Sequence, residues 1–359
     1  MADRTASAGG AADGPRWKRR PEGSNWGEFG PDDQRGRMNW VTREKVLQGV
    51  AEVKEGIAFV LSLPLDYPGG NVLNPRRLPP RIAATQRNGK QNFCYAVGQE
   101  NPLNTDVICD DLVLLTLQYS TQWDSFAHVG SNFDADGDGK AEIVFYNGYR
   151  EKEHIKPAQE NPNAEPWARF EGSRAEALGI QNLAEHGAQG RGVMIDLHAH
   201  FGRKRHAVNF QELQKILEID EVRIERGDIV CLHTGFAEVL LELKKNPTPE
   251  LVNNTCTGLD GRDPKLLKWI SDSGLSVLAA DNYAVELIPT SPWKPVPHAA
   301  LPLHEHCLFK NGIHLGEMWY FTELAKWLRE HKRSRFLLTA PPLRLPGAVG
   351  SPATPVATV

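Results

Sequence analysis

Asp111-Leu-Val-Leu-Leu-Thr-Leu-Gln118-Tyr-Ser-Thr-Gln122-Trp-Asp124-Ser-Phe-Ala-His128 is an apolar run that ends in a knot of polar groups. Leu112, Val113, Leu114, Leu115 and Leu117 predict a strand over Asp111 to Tyr119. In an extended chain, residues two apart share a face. Gln118, Gln122 and Asp124 therefore point one way, and His128 keeps the same parity if the chain stays extended. Two amides, a carboxylate and an imidazole on one face are costly to bury without hydrogen-bond partners. The residue types alone allow two readings, a satisfied network at a strand end or a chemical site.

The same rhythm recurs along the chain. Gly192 to Leu197, Ile229 to Leu232 and Leu275 to Ala280 are short apolar runs, each followed by polar residues. Helical spacing separates them at Asn209 to Ile219, Phe236 to Lys245 and Pro264 to Ser271. Thr42 to Glu55 also reads as a helix, with Val46, Leu47, Val50 and Val53 as its apolar positions and Thr42 as its N-cap. Ala58 to Leu65 reads as a strand stopped by Pro64. Strand, polar switch and helix in alternation predict an α/β fold with functional groups at strand ends. Between Asp66 and Lys90 lies a long loop rich in Pro, Gly, Asn and Arg, a kind of segment that is often functional.

The organisation expected is a disordered tail over 1–22, a single α/β domain over 23–340, and an extended arm over 341–359 packed on the body or on a partner subunit. The 359 residues carry a formal net charge of −4, which argues against a general nucleic-acid binder. No apolar run reaches the roughly 18 residues that would span a bilayer, so no membrane partner is expected. The start has no apolar stretch of the kind a secretory signal requires. The five cysteines are odd in number and widely spaced, which is no disulfide framework. They read as buried or incidental thiols in a reducing cytoplasm.

The segment from Gln118 to His128 resembles, in length and register, the motif H-x-G-T-H-x-D-x-P-x-H of the cyclase-like metal-dependent hydrolases, the family that includes the kynurenine formamidases. Thr121, Asp124 and His128 coincide with it. Gln118 and Gln122 stand where the family has two histidine ligands, Ser120 stands for Gly and Phe126 for Pro. Further blocks resemble the family in the same order: Asn25 to Asp33, Gly190 to Asp196 with His200, Arg226 to Val230 with Thr234-Gly235, Ala280-Asp281-Asn282 with Glu286, Pro302-Leu303-His304, and Gly316-Glu317. The resemblance implies a mixed β-sheet core with flanking helices in a swivelling β/β/α arrangement, and a homo-oligomer. It implies that Asp124, His304 and Glu317 are metal ligands, with Glu305 and His306 as alternatives to His304. It implies His128 as general acid/base.

The two glutamines depart from that pattern. An amide ligates only through a neutral carbonyl oxygen, whereas zinc prefers imidazole, thiolate and carboxylate. Three readings follow. Asp124, His304 and Glu317 still hold a divalent metal (Mn, Zn or Mg), with a harder ion favoured relative to zinc. Or the enzyme works without metal, with His128 as base and Gln118 and Gln122 polarising a carbonyl. Or catalysis is lost and the pocket binds a small molecule. The activity implied is hydrolysis of a C–N amide, formamide or cyclic imide bond, or of a lactone, in the manner of an arylformamidase. The alternatives are a small-molecule binding protein, and a lyase or cyclase of secondary metabolism. Trp123 and Phe126 either pack on an aromatic substrate or belong to the core.

Asp134-Ala-Asp136-Gly-Asp138-Gly139 has the alternating carboxylates of a calcium loop, with Glu142 at its ninth place and Phe145 where a bidentate glutamate belongs. It is a candidate Ca site and equally an Asp/Gly turn in solvent. Arg203-Lys-Arg205-His206 reads as a solvated loop, or as an attractor for a substrate carboxylate. His198 and His200 read as supporting residues on one strand face.

Overall fold

The computed structural model describes residues 14–165, 168–289 and 297–359. The short apolar runs assemble into one nine-stranded mixed sheet. Its strands in chain order are β1 (Ala58–Val60), β2 (Gln122–Asp124), β3 (Gln189–Asp196), β4 (Ile229–His233), β5 (Val277–Ala280), β6 (His314–Glu317), β7 (Arg335–Thr339), β8 (Gly350–Pro352) and β9 (Val356–Thr358). In space the order is β1-β9-β7-β3-β4-β5-β6-β2-β8. Strands β3 to β6 run parallel, and their neighbours on both sides run antiparallel.

The parallel strands are near-continuous in Val, Ile, Leu and Ala because both of their faces are covered. Val193, Ile195, Val230, Leu232, Leu278 and Leu315 point into one core with Leu213, Ile216, Leu266 and Ile270. Those four belong to the helices Phe210–Ile219 and Pro264–Asp272. The alternate residues Met194, Ile229, Cys231, Val277 and Ala279 point into a second core, with Leu324 and Leu328 of the helix Thr322–Glu330. This is a layered α/β architecture, as expected from sequence. Several helices start where a side chain receives free backbone N–H groups. Asn209 and Glu212 form a reciprocal capping box, and Thr42 accepts from Lys45 N.

Several expectations need correction. The strand read over Asp111 to Tyr119 stops at Leu114 and is no part of the main sheet. It pairs with Arg81–Ala84 in a ribbon that leaves Ile82 74% and Val113 51% exposed. A turn closed by Tyr119 N–H on Thr116 O then intervenes before β2. The helix after Thr42 spans Arg43–Ala51, but Leu47 and Val50 face solvent. Its buried positions are Lys45 and Gly49. Lys45 reaches the buried Asp228, and a Cβ on Gly49 would sit 2.9 Å from the Gly190 carbonyl.

The segment after Pro341 supplies two strands of the main sheet, β8 against β2 and β9 between β1 and β7. At the other end, residues 1–13 of the expected tail lie outside the described residues. The rest of that tail is ordered against the body, because Trp17 packs on Trp26 and the Lys18 and Arg19 N–H groups donate to Ala135 O. Cys231, Cys256 and Cys307 are buried, whereas Cys94 and Cys109 are exposed and face each other with sulfurs 3.8 Å apart. Among the described residues, no helix is long and apolar enough to cross a membrane.

Candidate active site

Strand β2 lies antiparallel to β6, with Gln122 opposite Glu317 and Asp124 opposite Leu315. This register puts Gln122, Asp124 and Glu317 side by side on one face. Trp123 points the other way into the second core, edge-on to Trp319, and its Nε1 donates to Ala340 O. Gly316 lets the strands close here, since a Cβ on it would come within 2.8 Å of the Trp319 indole nitrogen. Thr121 fastens the start of β2 by donating to Met318 O and accepting from Leu63 N.

His304 comes from the short helix Pro302–His304, which continues as a π-helical stretch over Glu305–Lys310. The ligand atoms of Asp124, His304 and Glu317 all lie within 4.8 Å of one another, and all three residues are buried. Gln122 Nε2 donates to Asp124 Oδ1 at 3.1 Å and to Glu317 Oε2 at 3.0 Å. His304 Nε2 meets Glu317 Oε1 at 3.0 Å and its Nδ1 meets Glu286 Oε1 at 2.8 Å. Neither alternative to His304 joins this group. Glu305 accepts from Ser131 Oγ, and His306 bonds to Ser271 Oγ.

The protonation pattern follows from these partners. Burial alone would lower the His304 pKa, but the carboxylates of Glu286 and Glu317 outweigh it and hold the value at about 10. Glu317 is pushed up to about 7, first by burial and then by the neighbouring charge of Asp124. His128 has a side chain 21% exposed and its Nε2 lies 3.9 Å from Asp124 Oδ1, beyond direct hydrogen-bond reach. Burial lowers its pKa below that of a free imidazole, partly opposed by Asp124.

Glu286 was quoted from sequence only as part of a block, yet it is the residue that orients His304. Its Oε1 accepts from His304 N and Nδ1, and its Oε2 from Leu303 N. Asn282 holds the loop before it by bonding both the N–H and the C=O of Val285. Gly261 leaves room for the carboxylate, because a Cβ there would run into Glu286 Oε2. His314 is a core histidine behind β2. Its ring stacks on Phe126 at 4.0 Å and its Nδ1 contacts Asp124 O, so Phe126 is packed inside the core.

Gln118 lies before β2 across a turn, and its amide sits where a Cβ on Gly350 of β8 would be. Gly350 pairs with Asp124, so the amide lies on the face of Asp124 and Gln122, toward β8. Among the described residues it makes no hydrogen bond to Asp124, His304 or Glu317. Nor do His198 and His200 share a strand face. Both sit on the helix Leu197–Phe201, where His198 contacts Thr234 O and His200 contacts Asp220. The basic run is internally paired, Arg203 with Glu238 and Glu242 and His206 with Glu212.

Asp134, Asp136 and Asp138 cluster within the same 4.8 Å limit. Their oxygens accept the N–H groups of Gly137, Gly139, Asp138 and Lys140, and Arg19 pairs with Asp134. Glu142 turns away from them to pair with Arg150.

The central residues fit a divalent cation. Asp124 Oδ2 and Gln122 Oε1 are both buried without a hydrogen-bond partner. The carboxylate behind His304 is the arrangement that fixes a metal-binding imidazole. Half a turn of the Gln122 amide exchanges its nitrogen and oxygen. Two carboxylates, one imidazole and one amide oxygen suit a hard ion such as manganese or magnesium better than zinc.

A family model described as "Putative cyclase" matches residues 60–287. A crystal structure described as that of a novel cyclase is 29% identical, with a TM-score of 0.70, covering 94% of this chain and 97% of that one. Isatin hydrolase A from Ralstonia solanacearum shares the fold at 13% identity and TM-score 0.53, covering 88% of this chain and 97% of its own. Isatin hydrolase A from Labrenzia aggregata, bound to benzyl benzoate, does so at 13% identity and TM-score 0.52 with the same coverage. Among curated protein sequences, none matches the chain.

Proposed function

From the premise that this chain belongs to the cyclase family, we propose that it hydrolyses a C–N amide, formamide or cyclic imide bond, or a lactone. The observation that carries this reading is the His128 imidazole, 3.9 Å from Asp124 Oδ1, beside the buried group of Asp124, Glu317 and His304. Asp124, Glu317 and His304, with the Gln122 carbonyl as a further donor, would hold a divalent cation, which would supply Lewis-acid polarisation of the substrate carbonyl. Glu286 keeps His304 turned toward Glu317. His128 takes the proton of the attacking water and returns it to the leaving nitrogen or oxygen, as general base and then general acid. Isatin, named for two proteins of the same fold, is a cyclic amide and belongs to this substrate class, as does N-formylkynurenine.

The test is a screen of isatin, N-formylkynurenine, a cyclic imide and a lactone, with manganese or magnesium supplied and products identified by mass spectrometry. Hydrolytic products are expected, and His128→Gln lowers kcat by about 10²–10⁴ with little change in KM. A product lacking the elements of water would point to a lyase instead. Elemental analysis of wild type beside Asp124→Ala reads the cation independently of turnover. A second reading, a binding protein without catalysis, is favoured by one observation. The Gln122 amide already bridges Asp124 and Glu317, and a protonated His304 sits between Glu286 and Glu317, so the acidic group is neutralised from within. Absence of turnover together with absence of bound cation would select it.

A further inference from the structure

Between Ala84 and Asp111 the chain leaves the exposed ribbon and folds back on itself in a small lobe. Within it Tyr95 pairs with Ile108 and Ala96 with Val107 in antiparallel register. One step further along that register, Cys94 stands opposite Cys109. Their sulfurs lie 3.8 Å apart, and the Cys94 N–H donates to Cys109 Sγ at 3.0 Å. Both residues are exposed.

The pair is braced on either side. Past the short ladder, Val97 N–H donates to Asp106 O. Toward the ribbon, Thr85 N–H donates to Asp110 O, Asn92 N–H to Thr85 O, and Asp110 N–H to Asn92 O. The Asn92 side-chain amide also reaches the Asp110 carboxylate at 2.6 Å. Arg87 makes two bonds of 2.8 Å to Glu100, which accepts from the Tyr95 hydroxyl as well. Residues facing each other across antiparallel strands have the Cα separation that a disulfide tolerates. To reach a bond length of about 2.05 Å the sulfurs need approach by less than about 2 Å. The other three cysteines, Cys231, Cys256 and Cys307, are buried and sheltered from a dissolved reagent.

We propose that Cys94 and Cys109 form a thiol–disulfide exchange site, closed by a small-molecule disulfide such as oxidised glutathione and reopened by a dithiol. One cysteine thiolate, its proton lost to water, attacks a sulfur of the reagent; the reagent's S–S bond breaks and its first thiol leaves with a proton. The second cysteine, likewise deprotonated, attacks the protein sulfur of this mixed disulfide, and the second reagent thiol leaves with a proton. Two electrons pass from the protein pair to the reagent, and no other oxidant enters. The crosslink joins positions 15 apart in the chain and turns the lobe into a closed loop. The pair is no part of the buried group of Asp124, Glu317 and His304, so the proposal is independent of the hydrolase reading.

The experiment equilibrates the full chain with oxidised and reduced glutathione at set ratios, both folded and in concentrated urea. The mixtures are quenched with acid, alkylated and mapped by peptide mass spectrometry. In the folded chain a peptide linking Cys94 to Cys109 is expected, cleaved by dithiothreitol, with Cys231, Cys256 and Cys307 recovered as free thiols. Its equilibrium constant against glutathione should exceed the value in urea by about tenfold or more, because an unfolded loop holds its two thiols at only about millimolar effective concentration. The proposal is overturned if glutathione adds to the two cysteines singly without linking them, if neither reacts, or if the folded chain gains less than that tenfold over urea.

Discussion

Replacing Glu286 by glutamine tests whether the His304 support works as described. Among the described residues, the donors that face this carboxylate are His304 N at 3.1 Å and Nδ1 at 2.8 Å on Oε1, and Leu303 N at 3.2 Å on Oε2. A glutamine has one acceptor oxygen and one NH₂. Turned one way, its NH₂ meets the Leu303 N–H; turned the other, it meets both His304 donors. The milder orientation leaves a buried N–H without an acceptor, about 1–3 kcal/mol. It also turns a charge-assisted bond to His304 into a neutral one, a further loss of about 1 kcal/mol. The total is about 2–4 kcal/mol. At about 2 °C per kcal/mol for a long chain, Tm drops by about 4–8 °C. Cation affinity should fall about 10–100-fold, the usual consequence of removing the partner of a metal-binding histidine. Urea unfolding and manganese titration followed by the signal of the free ion read the two effects separately. A Glu286→Gln variant within about 0.5 kcal/mol of wild type, with unchanged manganese affinity, would refute the reasoning.

Asp228→Asn should be costlier. The fully buried Asp228 carboxylate pairs with Arg191 at 2.9 and 3.0 Å and with Lys45 at 3.0 Å. Its loss leaves buried cations short of a counter-charge, about 3–5 kcal/mol, and adding Lys45→Met should restore part of it in a double-mutant cycle. The Asp196–His233 pair sets a pH signature. Burial alone would raise the Asp196 pKa, but His233 and Arg329 outweigh it and hold it well below the ordinary value of 3.8. Its contribution is therefore present above about pH 4 and fades as pH falls further. Burial lowers the His233 pKa, but Asp196 and Asp281 outweigh it, so its contribution is full below 6.5 and fades as pH rises above that. Thermal melts of wild type and Asp196→Asn across pH 2–9 should converge at the acid end; a constant difference would contradict the assignment.

Much of the α/β pattern was legible because the parallel strands are buried on both faces and therefore read as uninterrupted apolar runs. Asp124 and His128 were legible because they lie four residues apart in one contiguous motif. Gln118, in the same motif, lies toward β8 and makes no hydrogen bond to Asp124 among the described residues, because a turn between Thr116 and Tyr119 that the leucine-rich stretch hides precedes β2. The helix after Thr42 was found but its buried face was not. Apolar spacing gives no warning that a lysine will reach an aspartate more than 180 positions away, or that a glycine will lie against another backbone. Glu286 escaped for a related reason. It acts through one long-range contact to His304, which a single sequence does not record.

The position of β2 in the sheet also bears on how the protein is made. β2 is hydrogen-bonded on one side to β6 and on the other to β8, both of which lie about 190 or more residues later in the chain. No earlier strand of the main sheet touches it. Asp124 and Gln122 therefore wait as an unpaired, solvent-facing edge through most of synthesis, while β3, β4 and β5 can pair in order of emergence. Closing a loop of that length precedes any reward from the contacts it makes, which slows folding. The candidate site is among the last parts of the molecule to exist. A translation pause or truncation before His314 would yield a chain with β3, β4 and β5 formed and its chemistry unassembled, presenting an open strand edge to whatever else is nascent nearby.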